Sequence, residues 1–137
     1  MTEVLSLPEE LETFRKAVRA ICDDGVAPRA AEIDEADEFP HDVHRLLVEQ
    51  ELMAVGFPEA YGGAGDSSLS FAVMVEEISR ASASVSLIPL VARLGAIPVM
   101  LAGSEDQRHE LLGGIARGDH LMSYALTEPG AGSDAGA

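Results

Sequence analysis

One stretch of this chain reads as a β-strand, and it follows a long helical pattern. From His120 to Glu128 the residues alternate, with Met122, Tyr124 and Leu126 on one side and Ser123, Ala125 and Thr127 on the other. No other segment alternates in this way. A lone strand leaves its ladder N–H and C=O groups unpaired, so it is not stable by itself. The glycine-rich run Pro129–Ala137 follows. Backbone hydrogen-bond accounting therefore predicts an all-α fold: an N-terminal helical bundle domain of about five helices over residues 1–119. Residues 120–137 read as a strand and glycine-rich turn left unfinished by these residues, and the family resemblance given below implies that they open a middle β-domain. From His120 onward the chain is expected to be mobile or paired with another chain.

The helices are legible from their apolar spacing. Ser6-Leu7-Pro8-Glu9 fits a capping box, and Leu7, Leu11, Phe14, Val18, Ile21 and Cys22 share one face. Gly25 and Pro28 should break or kink this helix, with helical character resuming over 29–38. A second helix is expected from about His41 to Met53, carrying Val43, Leu46 and Leu47. A third spans about Ser68 to Ser82, with Glu76 and Glu77 expected on its solvated side. Residues 85–102 are apolar nearly all round, with Arg93 the only charge. Such a helix is either the most buried of a bundle or a face awaiting another subunit, and Pro89 and Pro98 should break its regularity. A capping box at Ser104–Gln107 opens a short fifth helix ending near Gly118.

Charge and cysteine content exclude several functions. Nine Lys and Arg against 24 Asp and Glu give a formal net charge of −15. Nucleic-acid backbones and anionic membranes are therefore not expected partners. The single cysteine, Cys22, excludes an intrachain disulfide and a multi-cysteine zinc site. No apolar run of about 18 residues or signal-like N-terminus is apparent, and a cytoplasmic protein is expected. The acid-rich stretch Glu32–Asp42 is read as a solvated helix end.

The chemistry-bearing segment is Tyr124–Ala137. Gly130-Ala131-Gly132-Ser133 offers successive backbone N–H groups without bulky side chains, a nest able to wrap a phosphate or pyrophosphate oxygen. Ser133 and Thr127 add hydroxyls. The glycine spacing is not that of the dinucleotide-binding G-x-G-x-x-G turn, and no P-loop lysine is present. On composition alone, a flexible glycine-rich tail fits equally well.

The run Ala125-Leu126-Thr127-Glu128-Pro129-Gly130-Ala131-Gly132-Ser133-Asp134 closely resembles the signature of the flavin-dependent acyl-CoA dehydrogenase family. Ala27-Pro28-Arg29, Glu38-Phe39-Pro40, Pro58–Gly65 and Glu76–Ala81 extend the resemblance over essentially the whole chain. The resemblance implies FAD as cofactor and α,β-dehydrogenation of acyl-CoA thioesters. It implies that Tyr124, Leu126 and Thr127 contact the flavin, and that Gly132 and Ser133 contact its pyrophosphate. Ser133 would also lie near bound acyl-CoA, and electrons would pass to an electron-transfer flavoprotein. The family's base is a glutamate of a C-terminal helical domain, so no residue here is assigned a catalytic role. This chain alone is expected to bind FAD weakly or not at all and to be inactive. Self-association or a complementing chain is expected, and a non-catalytic helical interaction module is the alternative.

The remaining candidates are weak. His41 and His44 sit i, i+3 beside Asp42, but histidines at a helix start are usually surface residues, and no metal site is expected. His109 and His120 lack evident partners in the sequence. Glu128 is read as structural, and Cys22 as a small buried hydrophobe.

Overall fold

Apolar spacing, capping residues and glycine turns produce six helices in the computed structural model, which describes residues 6–65 and 67–136. Helix α1 spans Glu9–Gly25 and α2 Ala30–Ala36, joined by a 3-10 turn over Ala27–Arg29. Helix α3 is His41–Glu49, α4 Ser68–Ala81 and α5 Ala83–Ala102. A last helix, α6, runs over 105–116 and contains a π-helical turn at Arg108–Leu112.

The ends of these helices follow their sequence, with one correction. Helix α1 starts at Glu9 with Pro8 at the N-cap and no side-chain cap there, rather than with the expected Ser6–Glu9 box. Three acids in its first turn, Glu9, Glu10 and Glu12, complement the positive end of the helix dipole instead. Ser67 caps α4 by accepting from the Ser70 N–H at 3.1 Å, and Ser82 caps α5 by accepting from Val85. The Ser104–Gln107 box forms in both directions. Helix α3 stops earlier than expected, because Glu51 takes a left-handed conformation with φ 58° and turns the chain into a 3-10 segment at Leu52–Ala54.

The core is aliphatic. Val18 and Cys22 of α1, Leu47 of α3, Met74 and Ile78 of α4, Val85, Ala92 and Ala96 of α5, and Leu112 and Ile115 of α6 form one cluster. Burial of the Cys22 thiol pushes its pKa up to about 11, so it stays protonated and unreactive.

Helices α1 and α4 are also joined by charge. Glu77 is only 1% exposed, which corrects the expectation that it is solvated; its neighbour Glu76 is exposed. The Arg19 guanidinium donates to both Glu77 oxygens at 2.8 and 2.7 Å, and Arg80 donates at 3.1 Å. The hydrogen bonds from Arg19 hold the Glu77 carboxyl below the usual carboxylate range, more strongly than burial raises it. Arg80 also donates to Asp23 of α1.

Helix α5 continues through Pro89 and Pro98, which do not end it. Its length and mean hydropathy of 2.0 meet the composition test for a membrane span, contrary to the sequence expectation. Its inner side, however, belongs to the core of a folded domain through Val85, Ile88, Ala92 and Ala96. The outer side leaves Leu87, Leu90, Leu94, Ile97 and Leu101 exposed, up to 77% at Leu101. One face of this helix is thus buried in the core and the other is open.

The loop Pro58–Gly65 is fastened rather than free. Gly56 donates to the Gly65 carbonyl at 2.9 Å, and Gly65 donates to Phe57 at 3.0 Å. Gly63 lies so close to the Phe57 backbone that no side chain fits there. The Tyr61 hydroxyl donates to the Glu105 carboxylate at 2.8 Å and ties the loop to α6.

No strand forms among the described residues. The segment 120–127 that alternates in sequence carries no ladder, because nothing here offers it a partner edge.

Candidate functional site

The chemistry-bearing stretch is placed by the end of α6 and by one glycine of α5. Gly118, with φ 79°, turns the chain out of α6, and the Asp119 and His120 N–H groups both donate to the Gly114 carbonyl. The His120 ring lies directly on Gly114, so His120 has a packing partner that the sequence did not reveal. The chain then crosses α5 at Gly95. A Cβ on Gly95 would lie 2.9 Å from both the Met122 Cβ and the Ser123 carbonyl oxygen, so only glycine permits this approach. Met122 is half-buried against the core and is the last anchor.

Beyond Met122 the side chains face outward. Tyr124 is 42% and Leu126 52% exposed, large apolar groups left open to solvent. Ser123, Ala125 and Thr127 are exposed as well. Glu128 and Ala131 then exchange backbone hydrogen bonds at 3.0 and 3.1 Å, closing a tight turn around Pro129 and Gly130. Gly132 and Ser133 follow this turn and are exposed.

The glycines of this turn differ from those of the helical body. A Cβ added at Gly130, Gly132 or Gly136 would meet nothing within 4 Å, whereas Gly63, Gly95 and Gly114 are each enforced by a neighbour in this chain. Nothing within the described residues requires glycine at 130, 132 or 136. Their open backbone suits close approach by a group from outside, as a pyrophosphate would make. The five residues expected to hold a cofactor (Tyr124, Leu126, Thr127, Gly132 and Ser133) thus share one exposed stretch that offers two hydroxyls and open backbone.

The other candidates lie elsewhere. His44 is buried, which corrects the expectation of a surface histidine, and its Nε2 has no hydrogen-bond partner. Burial, with His41 nearby, lowers its pKa. The His41 ring meets Phe39 edge-on at 4.9 Å. His109 packs edge-on against Tyr61 at 5.0 Å. Among the described residues no group of three or more His, Cys, Asp or Glu is arranged to hold a metal. The sequence reading missed Gly95 as a positioning residue. The signal was present: a glycine inside an apolar helix signals a close approach.

Comparison with known proteins matches the helical body to a known family. The family profile described as the N-terminal domain of acyl-CoA dehydrogenase matches residues 8–119. The probable acyl-CoA dehydrogenase FadE25 of Mycobacterium tuberculosis is 41% identical over 133 residues, covering 97% of this chain and 34% of its own length. A chain from the structure of the electron transferring flavoprotein of Acidaminococcus fermentans superposes with a TM-score of 0.87 at 30% identity, over 97% of this chain and 35% of that one. An acyl-CoA dehydrogenase from Bacillus anthracis, complexed with FAD, gives a TM-score of 0.81 at 32% identity, over 96% of this chain and 23% of that one. The chain thus spans about a third of the length of the curated relatives it matches.

Proposed function

The chain belongs to the acyl-CoA dehydrogenase family through its N-terminal domain, and on that premise we propose that it forms one wall of an FAD site for α,β-dehydrogenation of acyl-CoA thioesters. The observation that carries this reading is the self-closed Glu128–Ala131 turn, followed by the open backbone at Gly132 and Ser133. Backbone N–H groups at Gly132 and Ser133 donate to the pyrophosphate, and the Ser133 hydroxyl also reaches toward acyl-CoA. The Thr127 hydroxyl bonds the polar edge of the ring system. Tyr124 and Leu126 cover apolar ring surface that would otherwise remain wet, and in doing so lose their own exposure. The flavin, when bound, supplies a two-electron hydride acceptor. The base that removes the substrate α-proton lies outside these 137 residues. An electron-transfer flavoprotein is the proposed acceptor. Alone, the chain holds FAD weakly and does not turn over.

A chimera tests this. Residues 1–137 replace the matching third of FadE25, which is 41% identical over 133 residues. The chimera is expected to purify yellow and to bleach with an acyl-CoA that bleaches FadE25. Gly132→Val, which crowds the nest, and Thr127→Ala should lower bound flavin. A soluble, folded chimera without flavin would overturn the proposal and favour a non-catalytic helical module. Full flavin content in the Gly132→Val variant would overturn the assigned contacts.

A further inference from the structure

His44 is a buried polar group with no part in the flavin-contacting stretch. It lies in the first turn of α3, is 9% exposed, and its Nε2 has no hydrogen-bond partner among the described residues. Its ring centroid lies 5.8 Å from that of Phe39, which also meets His41 at 4.9 Å. Phe39 belongs to the short turn between α2 and α3. That turn begins at Asp37, whose φ of 51° is in the left-handed region that residues other than glycine seldom adopt. It ends where the His41 N–H donates to the Phe39 carbonyl at 3.0 Å and the His44 N–H donates to the Pro40 carbonyl at 2.9 Å. His44 thus joins the turn to the helix through both its ring and its amide.

A proton on His44 would find no counter-charge. Around α2, Arg29 is taken by Glu32 and Asp42, Asp34 accepts from Ser84, and Glu35, Asp37 and Glu38 are exposed. At the end of α1, Asp23 pairs with Arg80 and Asp24 is exposed. The Leu52–Ala54 segment packed on α3 has no ionisable side chain, and Glu51 before it is exposed. At the end of α6, Arg117 pairs with Asp119, and Arg93 of α5 lies over the Phe71 ring. Arg45 and Glu49 of α3 itself are exposed, and His41 is the one group whose charge acts on His44, unfavourably. Protonation would make both ring nitrogens donors, leaving a buried N–H at Nε2 without an acceptor. It would also place a cation at the positive end of the helix dipole. Attraction to the Phe39 ring is smaller than the hydration such a cation gives up. We propose that His44 is an acid-sensitive latch: neutral, it holds the Phe39–Pro40 turn against α3; protonated, it leaves its seat for water and frees the turn and the start of α3 while the other helices stay folded. The folded chain holds this proton less well than the unfolded chain, whose histidine titrates near about 6.5. The latch is therefore closed above about pH 6.5 and loosens as pH falls below it, before carboxylates of ordinary pKa, about 4, protonate.

Two measurements on the intact chain test this. Nitrogen NMR of the wild-type imidazoles reads ionisation directly, and the His44 ring should titrate below about 6.5. Amide hydrogen exchange, with each rate divided by that of an unstructured peptide at the same pH, reads opening. Between about pH 7.5 and pH 5.5, protection of the amides of residues 44–48 should fall at least about threefold, while that of α4 holds. His44→Leu fills the seat with an apolar group and should abolish the fall; His44→Met makes the same comparison if Leu is not accommodated. His41→Gln, at an exposed position, should keep most of it. A His44 ring titrating at or above about 6.5 would overturn the proposal. So would an undiminished fall in the His44 variants, a fall shared equally by α4, or its loss in His41→Gln.

Discussion

The helical body and the C-terminal stretch of this chain dispose of their backbone hydrogen bonds in opposite ways. From Glu9 to Ala116 the amides go into helices, serine caps and fastened loops, around a core whose central residues are fully buried. From Leu121 to Thr127 no backbone–backbone hydrogen bond forms among the described residues, and large side chains stand in water. The sequence chemistry of the two regions differs accordingly. In the body, Gly63, Gly95 and Gly114 are each enforced by a neighbour; Gly130, Gly132 and Gly136 face open space. The lesson is that a glycine held by a close neighbour and a glycine facing open space look alike in sequence and differ only in the fold.

Truncations should separate the regions most sharply. Met74 is fully buried, so Met74→Ala should cost about 3 kcal/mol in denaturant unfolding. Leu126→Ala, in the exposed stretch, should change stability by less than about 0.5 kcal/mol. Similar losses for the two would break the contrast.

The Glu77 cluster comes next. Glu77→Ala should cost about 1–2 kcal/mol, less than a fully enclosed ion pair, because Arg19 and Arg80 remain half-exposed and can turn to water. Because its folded pKa is depressed, Glu77 stabilises the fold above its unfolded value of about 4.3. That contribution fades as pH falls toward the folded value, and the variant should lose this part of the acid dependence.

Gly95→Ala is the smallest perturbation and the most pointed. Alanine favours the α5 helix by up to about 1 kcal/mol, yet its Cβ collides with Met122 and Ser123. The body should stay intact while NMR signals of residues 120–123 move. An unchanged C-terminal stretch would show that Gly95 does not position it.

Most of the body was legible from sequence, because helices announce themselves through local spacing. Val18 and Cys22, Leu47, and Met74 with Ile78 all fall where periodicity puts them. What was not legible depended on partners distant in the chain. Glu77 looks like Glu76 until Arg19, 58 residues away, is brought against it. His44 was misread as a surface residue although it lies three positions from Leu47 and four from Val48, at the edge of their stripe. The prolines of α5 were expected to disturb its regularity, and packing on its inner face keeps the helix continuous through both. For the candidate site, the residue types were readable in Thr127, Gly132 and Ser133. Their placement was not, since it rests on Gly95 and Gly114 accommodating Met122 and His120.

Amide hydrogen exchange on the isolated, monomeric chain tests the central contrast most directly. The account predicts slow, cooperative exchange in α1, α4 and α5, and exchange close to that of an unstructured peptide from Ser123 to Thr127. Protection of that stretch equal to the helices, in a chain proven monomeric, would mean that its hydrogen bonds are already satisfied within the molecule, and would contradict the account.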